Sequence, residues 1–194
     1  MSFHALFHPN DPERSRFLNG LFSLFARDII RCWSSDKNAP YTNLGKPTLR
    51  QGRASRGHPL DFAFAEARGK QVYAVIMYCD PLDDTPLKDA AQIDQLRSTR
   101  TFAAFLEAAQ NPAPYTLAVG GADYPAAGSI LIWSTLESKK ARAVLRKTYA
   151  FHDILSLENI ITDLLLWQNR DFQMLLDRRM LWCHDFIRGL RQLR

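Results

Sequence analysis

Residues 59–80 read PLDFAFAEARGKQVYAVIMYCD, and this stretch decides the fold. In its first part Leu60, Phe62 and Phe64 alternate with smaller or polar residues, a period of two that predicts a strand with one buried face. Residues 71–79 are a nearly continuous apolar run of β-forming types, which predicts a central strand buried on both faces. Because a short turn joins the two segments, we predict a β-hairpin.

Helical patterns lie on both sides of this hairpin. Residues 11–34 follow a capping Asn10 or Asp11 and repeat apolar residues at helical spacing, with Arg27 on the polar side. After the hairpin the pattern predicts a helix that breaks near Ser98 and ends before Asn111. Further helices are expected at 137–148, 156–168 and 171–193, and further strands at 48–51, 115–119 and 129–133.

This order of elements predicts the fold class. We expect an α/β (α+β) fold with a mixed central sheet of four to five strands flanked by helices. The residues between 119 and 129 are rich in glycine and proline and are expected to form a connection between two strands.

Length and composition predict one domain. The chain has 194 residues, of which 46% are hydrophobic and 23% are charged, an ordinary globular balance. No repeat, low-complexity tract or long linker divides it. We expect a single domain over 1–194, with a core at about 10–135 and a helical C-terminal region at about 136–194.

Cysteine usage and the terminal sequence predict a cytoplasmic, soluble protein. Cys32, Cys79 and Cys183 are far apart and form no CxxC motif, which disfavours a disulfide scaffold or a zinc knuckle. No secretory signal is visible, and no apolar run reaches the length of about 18 residues needed to span a bilayer. We therefore expect no membrane association.

Two segments of the hairpin carry a motif. Pro59-Leu60-Asp61 begins the first predicted strand, and Val75 to Asp80 end the second. With the order α-β-β-β-α-β over roughly residues 10–135, these segments resemble the restriction-endonuclease-like superfamily, whose motif is written PD-(D/E)xK. The resemblance aligns Asp61 with the first acid. Ile76 stands where the second acid belongs, and Tyr78 stands where the lysine belongs.

The resemblance implies a Mg²⁺-dependent nuclease site, and the substitutions imply that it is degraded. Two carboxylates hold the metal in such a site, because a hard cation needs oxygen ligands. An alkyl side chain cannot ligate a metal, and a phenol with a pKa near 10 is a poor base at neutral pH. Asp61 and Asp80 therefore remain as vestigial catalytic positions that bind Mg²⁺ weakly if at all, while Ile76 and Tyr78 are not competent. No cofactor is expected, and Mg²⁺ only if an active nuclease remains.

Each of these residues also has a purely structural interpretation. Asp61 pairs in that case with Arg50 or Arg53, Asp80 caps a loop, and Ile76 and Tyr78 are core residues. Strand alternation predicts Val75 and Met77 on one face, under a helix, and Ile76 and Tyr78 on the face shared with Asp61.

The charge distribution allows a polyanionic partner without requiring one, because the cations of residues 46–58 are equally well explained as a solvated surface. The formal net charge is +5, and residues 46–58 contain no acid. The candidate nucleic-acid-binding residues in this segment are Lys46, Arg50, Arg53 and Arg56. The C-terminal arginines are interpreted instead as solvated residues that complement the helix dipole.

Three functional hypotheses follow. The first is a non-catalytic nuclease-like domain that binds DNA, RNA or a protein partner. The second is an active Mg²⁺-dependent phosphodiester hydrolase whose acid and base have migrated, for example to Asp80, Asp84 or Lys88. The third is a protein-interaction module unrelated to nucleic acid. The sequence does not fix the oligomeric state.

Overall fold

A single sheet with helices on both faces organises the chain. The structure is a computed structural model, and it describes residues 11–52, 56–67, 69–78 and 86–192. The strands are β1 (Tyr41–Gly45), β2 (Thr48–Gln51), β3 (His58–Pro59), β4 (Phe62–Glu66), β5 (Val72–Tyr78), β6 (Tyr115–Val119), β7 (Ala122–Trp133) and β8 (Asp153–Ser156). The helices are α1 (Pro12–Ser34), α2 (Ala90–Leu96), α3 (Arg100–Gln110), α4 (Lys139–Tyr149), α5 (Leu157–Leu166) and α6 (Arg170–Gln192).

The predicted fold class is confirmed: the fold is mixed α/β with an open, mixed sheet. The sheet is larger than the four to five strands expected, because the described residues form eight. The additional strands are short, and β1 contains Asn43 and Gly45, residue types that favour turns. Pairing with β4 stabilises β1 in spite of this local preference.

The hairpin at the centre of the sheet forms as predicted. Strands β4 and β5 pair antiparallel, with Phe62 opposite Val75. On the far side of β4 lies the antiparallel strand β1, whereas β5 pairs parallel with the second half of β7. Strand β8 adds to β7, also in parallel. This parallel pairing requires a crossover connection, which α2 and α3 provide between β5 and β7.

The first half of β7 corrects one expectation. Residues 122–128 belong to this strand and pair antiparallel with β6, rather than forming a loose connection. Gly120 and Gly121 have φ of 58° and 89°, and they make the two-residue turn between the strands. Left-handed φ at both positions suits such a tight hairpin. The sheet continues beyond β6 through β2, at the predicted position, and β3.

Two apolar layers cover the two faces of the sheet. On one face Phe62, Val75 and Met77 belong to a cluster that includes Ile30 of α1 and Ile160 of α5. On the other face the cluster contains buried residues of α2, α3 and α4, and Ile76 and Tyr78 pack against it. The predicted division of β5, with Val75 and Met77 under a helix and Ile76 and Tyr78 on the opposite face, is therefore confirmed.

The helices follow the predicted boundaries closely. Asp11 caps α1, because its carboxylate accepts hydrogen bonds from the backbone of Glu13 and Arg14. The predicted break near Ser98 separates α2 from α3. No helix within the described ranges is long and apolar enough to cross a membrane.

Candidate functional site

Asp61 lies between β3 and β4, at the edge of the predicted nuclease-like site. Its backbone N–H donates to the carbonyl of Val75 (3.2 Å), and its Oδ2 accepts a hydrogen bond from the backbone N–H of Met77 (2.9 Å). The pairing of β4 with β5 ends at Phe62 and Val75. Asp61 lies just before Phe62, and its side chain accepts the N–H of Met77, which lies beyond that last pair. The carboxylate thus extends the hydrogen bonding of β5.

Arg27 of α1 is the ionic partner of Asp61. Its Nη2 lies 2.7 Å from Oδ1 of Asp61, and the Asp61 side chain is only 16% exposed. A charge-assisted bond of this length, to a carboxylate that also accepts a backbone N–H, fixes the side chain in place. Both carboxylate oxygens therefore have partners within the protein.

This arrangement corrects two expectations about Asp61. Its predicted partners were Arg50 or Arg53, but Arg50 lies on β2 at 3.9 Å from Asp123, and Arg53 is outside the described residues. The carboxylate was also expected on the face shared with Ile76 and Tyr78. The carboxylate turns instead toward α1. That helix packs over the hairpin and places Arg27 next to the start of β4.

The remaining motif positions line no acidic site. Ile76 and Tyr78 pack against the cluster on the opposite face, and the Tyr78 ring lies 4.7 Å from that of Trp133 between ring centroids. Asp80 and Asp84 lie outside the described residues, and Lys88 is exposed beside α2. Among the residues that the structure describes, no three His, Cys, Asp or Glu side chains are close enough to hold a metal ion.

The predicted cationic segment is only partly available to a ligand. Lys46 and Arg56 are exposed, and Arg50 is half-buried near Asp123. The backbone N–H of Leu60 donates to the carbonyl of Pro47 (3.1 Å), so the chain at Lys46 runs beside the chain at Asp61. Lys46 thus precedes a residue whose carbonyl is bonded to the residue before Asp61.

Helix α4 carries a cationic surface that the sequence analysis missed. Its eleven residues, KKARAVLRKTY, include no acid. Leu145 and Tyr149 are buried against the core, and Arg142 forms an ion pair with Asp153 (2.6 Å). The exposed cations are Lys139, Lys140, Arg146 and Lys147. The signal was present in the sequence as a run of like charges on a predicted helix.

Local sequence explains why α4 forms at this position. The side chain of Ser138 accepts a hydrogen bond from the backbone of Ala141 (3.0 Å) at the start of the helix. Basic residues in the last turn complement the negative end of the helix dipole. The Tyr149 hydroxyl donates to the carboxylate of Asp94 on α2 (2.9 Å), which anchors the end of the helix.

A second polar cluster lies where β4 turns into β5. The Tyr73 hydroxyl is 2.8 Å from Oε1 of Glu66, and the His152 ring stacks on Tyr73 with centroids 3.9 Å apart. Burial, followed by the bond to Glu66, raises the pKa of Tyr73 above its ordinary value. Burial also lowers the pKa of His152. A hydroxyl so strongly held in its protonated form is a hydrogen-bond donor that links strands rather than a base.

Comparisons with known proteins give no relative for this arrangement. No protein-family profile, curated protein or solved structure matches the chain.

Proposed function

We propose that this chain is a nuclease-like domain that binds nucleic acid without hydrolysing it. Two features support the proposal: the ion pair that occupies Asp61, and the exposed cations of α4. The second is the observation that carries the binding function.

The order of elements supports the nuclease-like part. Helix α1 precedes three antiparallel strands, β1, β4 and β5, and the helices α2 and α3 then lead to β7, which is parallel to β5. The resemblance took residues 48–51 as the first of the three strands, but these residues form β2 and pair with β6, while β1 lies beside the hairpin. The order α-β-β-β-α-β is therefore present with a different first strand. The strands β2, β3 and β6 extend the sheet beyond it.

The contacts of Asp61 support the absence of hydrolysis. In a metal-dependent nuclease a carboxylate at this position holds a divalent cation that activates water. Here the cation beside the carboxylate is the guanidinium of Arg27, at 2.7 Å. Ile76 supplies no second ligand, and Tyr78 supplies no ammonium group. The motif positions thus offer neither a second metal ligand nor an ammonium group.

The surface of α4 supports binding to a phosphate backbone. Lys139, Lys140, Arg146 and Lys147 are exposed on one helix without an intervening acid. Cations arranged in this way release counterions from a nucleic acid when they contact its phosphates, and the binding that results is independent of sequence. We assign the main phosphate contacts to α4, with Lys46 and Arg56 as a second, smaller cationic surface.

Incubation with plasmid DNA and single-stranded RNA in Mg²⁺ or Mn²⁺ tests the absence of hydrolysis. We expect no cleavage above that of a matched Asp61→Ala preparation. Cleavage that disappears in Asp61→Ala would establish the alternative of an active hydrolase. The variant Ile76→Glu/Tyr78→Lys restores the motif residues on the face opposite to the one toward which Asp61 turns, so it is expected to remain inactive.

Fluorescence anisotropy with a labelled duplex tests the binding function. Neutralising the four exposed cations of α4 to alanine is expected to weaken binding at least tenfold. The matched control Lys46→Ala/Arg50→Ala/Arg56→Ala, on the other cationic segment, is expected to weaken it less. Equal loss in both variants would mean that total charge, rather than α4, controls binding, and no binding by the unmodified chain would favour the protein-interaction hypothesis.

A further inference from the structure

The C-terminal helix α6 exposes an unusually apolar surface. Eight of its large apolar side chains are between 37% and 70% exposed, and only Phe172 is buried. The exposed residues are Met174, Leu176, Met180, Leu181, Trp182, Phe186, Ile187 and Leu190. Contiguous apolar surface of this kind marks an interaction site, because it is costly to leave in water.

One side of α6 is already in contact with α1. Arg179 forms an ion pair with Asp28 (2.7 Å), and its guanidinium lies over the rings of Phe25 (5.7 Å) and Trp182 (5.0 Å) from their centroids. Leu175 also packs against the core cluster that contains α1 residues. These contacts fix the rotation of α6 about its axis, so the surface that remains exposed is defined.

The exposed surface has the spacing of a helix–helix interface. Leu176, Met180, Cys183, Ile187 and Leu190 follow one another at intervals of four, three, four and three residues. This is the a/d spacing of a helix that packs along another helix. Leu181 lies one residue, or about 100°, from Met180 and falls outside this seam.

The charges that flank the seam indicate which partner fits it. Asp177, His184 and Arg191 border the seam at seven-residue intervals. If two copies of α6 pair antiparallel about a point next to His184, Asp177 of one copy lies opposite Arg191 of the other. In the same register Met180 of one copy lies level with residue 188 of the other, between Ile187 and Leu190 on the partner's seam. The surface is therefore complementary to itself in both charge and apolar contact, as a two-fold interface requires.

From this self-complementarity we propose that the α6 seam is the interface of a homodimer, in which a second copy of the chain packs antiparallel across a two-fold axis near His184. The apolar area of the seam is consistent with a second copy of the chain. The four large apolar residues of the seam contribute on the order of 400 Å² if each buries roughly 100 Å². That is about half of an interface of about 800 Å² per partner, close to the usual apolar share of an interface. The inference does not depend on the proposed nucleic-acid binding.

Light scattering coupled to size exclusion, performed on the full chain over a range of concentrations, tests the dimer. We expect a mass of twice 22.2 kDa at micromolar concentration. Met180→Glu/Ile187→Glu places like charges beside each other within the seam and is expected to raise the dissociation constant at least a hundredfold. Leu181→Glu, an equally exposed position on the same helix outside the seam, is the matched control and is expected to leave the dimer intact.

A charge exchange tests the register independently of helix stability. Asp177→Arg alone is expected to weaken the dimer about tenfold, and Asp177→Arg/Arg191→Asp is expected to restore it. Circular dichroism confirms that each variant keeps its helix content. A chain that is monomeric at all concentrations, a dimer that survives Met180→Glu/Ile187→Glu, or an equal loss in the Leu181→Glu control would each overturn the proposal. So would failure of the double charge exchange to recover the dimer.

Discussion

At the scale of single residues, Asp61 stabilises the fold, although its position in the motif suggests a metal ligand. Its carboxylate joins α1 to the hairpin through Arg27 and also satisfies the N–H of Met77. These two contacts are expected to contribute differently to the free energy of unfolding. The ion pair involves a side chain that is 54% exposed, whereas the amide lies in the sheet.

Substitution of Asp61 is expected to destabilise the protein more than substitution of Arg27. Asp61→Ala leaves the Met77 N–H without its acceptor and should lower the free energy of unfolding by about 1–3 kcal/mol. Arg27→Ala removes only a partly exposed pair and should lower it by less than about 1 kcal/mol. Urea denaturation measures both, and Asp61→Asn, which keeps an acceptor oxygen, should fall between them. Equal losses would contradict this division.

His152 is expected to make stability depend on pH. Burial lowers its pKa in the folded state, and Arg146 acts in the same direction, while Asp153 and Glu66 oppose the shift. The folded protein thus takes up this proton less readily than the unfolded chain. The associated stability is present above the ordinary histidine pKa of about 6.5 and is lost as the pH falls through the lowered value.

Denaturation of His152→Phe tests this dependence, because the substitution keeps an aromatic ring beside Tyr73 and removes the titrating group. Between pH 7.5 and pH 5 the free energy of unfolding should fall more steeply in the unmodified chain than in the variant. Parallel pH profiles would show that other groups cause the loss.

At the scale of elements, local pattern predicted the long helices and the central hairpin but missed the short strands β1, β3 and β8. Alternation at Phe62 and Phe64 and the apolar run of β5 are strong local signals, and both elements formed as expected. Strand β1 has no such signal and depends on pairing with β4. The Arg27–Asp61 contact was missed for a related reason. The sequence shows which side of α1 is polar but not which residues of the sheet that side reaches.

Gly57 is expected to be essential for the attachment of β3 to β2. A Cβ at this position would lie 2.6 Å from the carbonyl oxygen of Leu49, a backbone atom of the paired strand that cannot move independently. Gly57→Ala should lower the free energy of unfolding by about 1–3 kcal/mol through overpacking. The control Gly20→Ala, in α1 with open space around it, should instead raise stability by up to about 1 kcal/mol, because alanine favours helix. Thermal denaturation of both variants decides.

At the scale of the whole molecule, charge and apolar surface lie on different helices. The exposed cations of α4 are suited to phosphate, and the seam on α6 is suited to a second copy. The absence of acids from residues 46–58 pointed to Lys46, Arg50, Arg53 and Arg56 as nucleic-acid contacts. Folding reduces the availability of Arg50 by placing it near Asp123, a residue distant in sequence. Ion pairs between residues distant in sequence decide which cations stay available to a ligand. Composition alone does not predict these pairs.

The salt dependence of binding to a labelled duplex, measured by anisotropy in the presence of Mg²⁺, tests the central claim most directly. If the four exposed cations of α4 contact phosphates, the logarithm of the association constant should fall with the logarithm of salt concentration with a slope of about −3 to −4, and the duplex should remain intact. Neutralising the helix should reduce the magnitude of this slope by a similar amount. Absence of binding at about 50 mM salt, a slope near zero, or cleavage of the duplex that requires Asp61 would contradict the account.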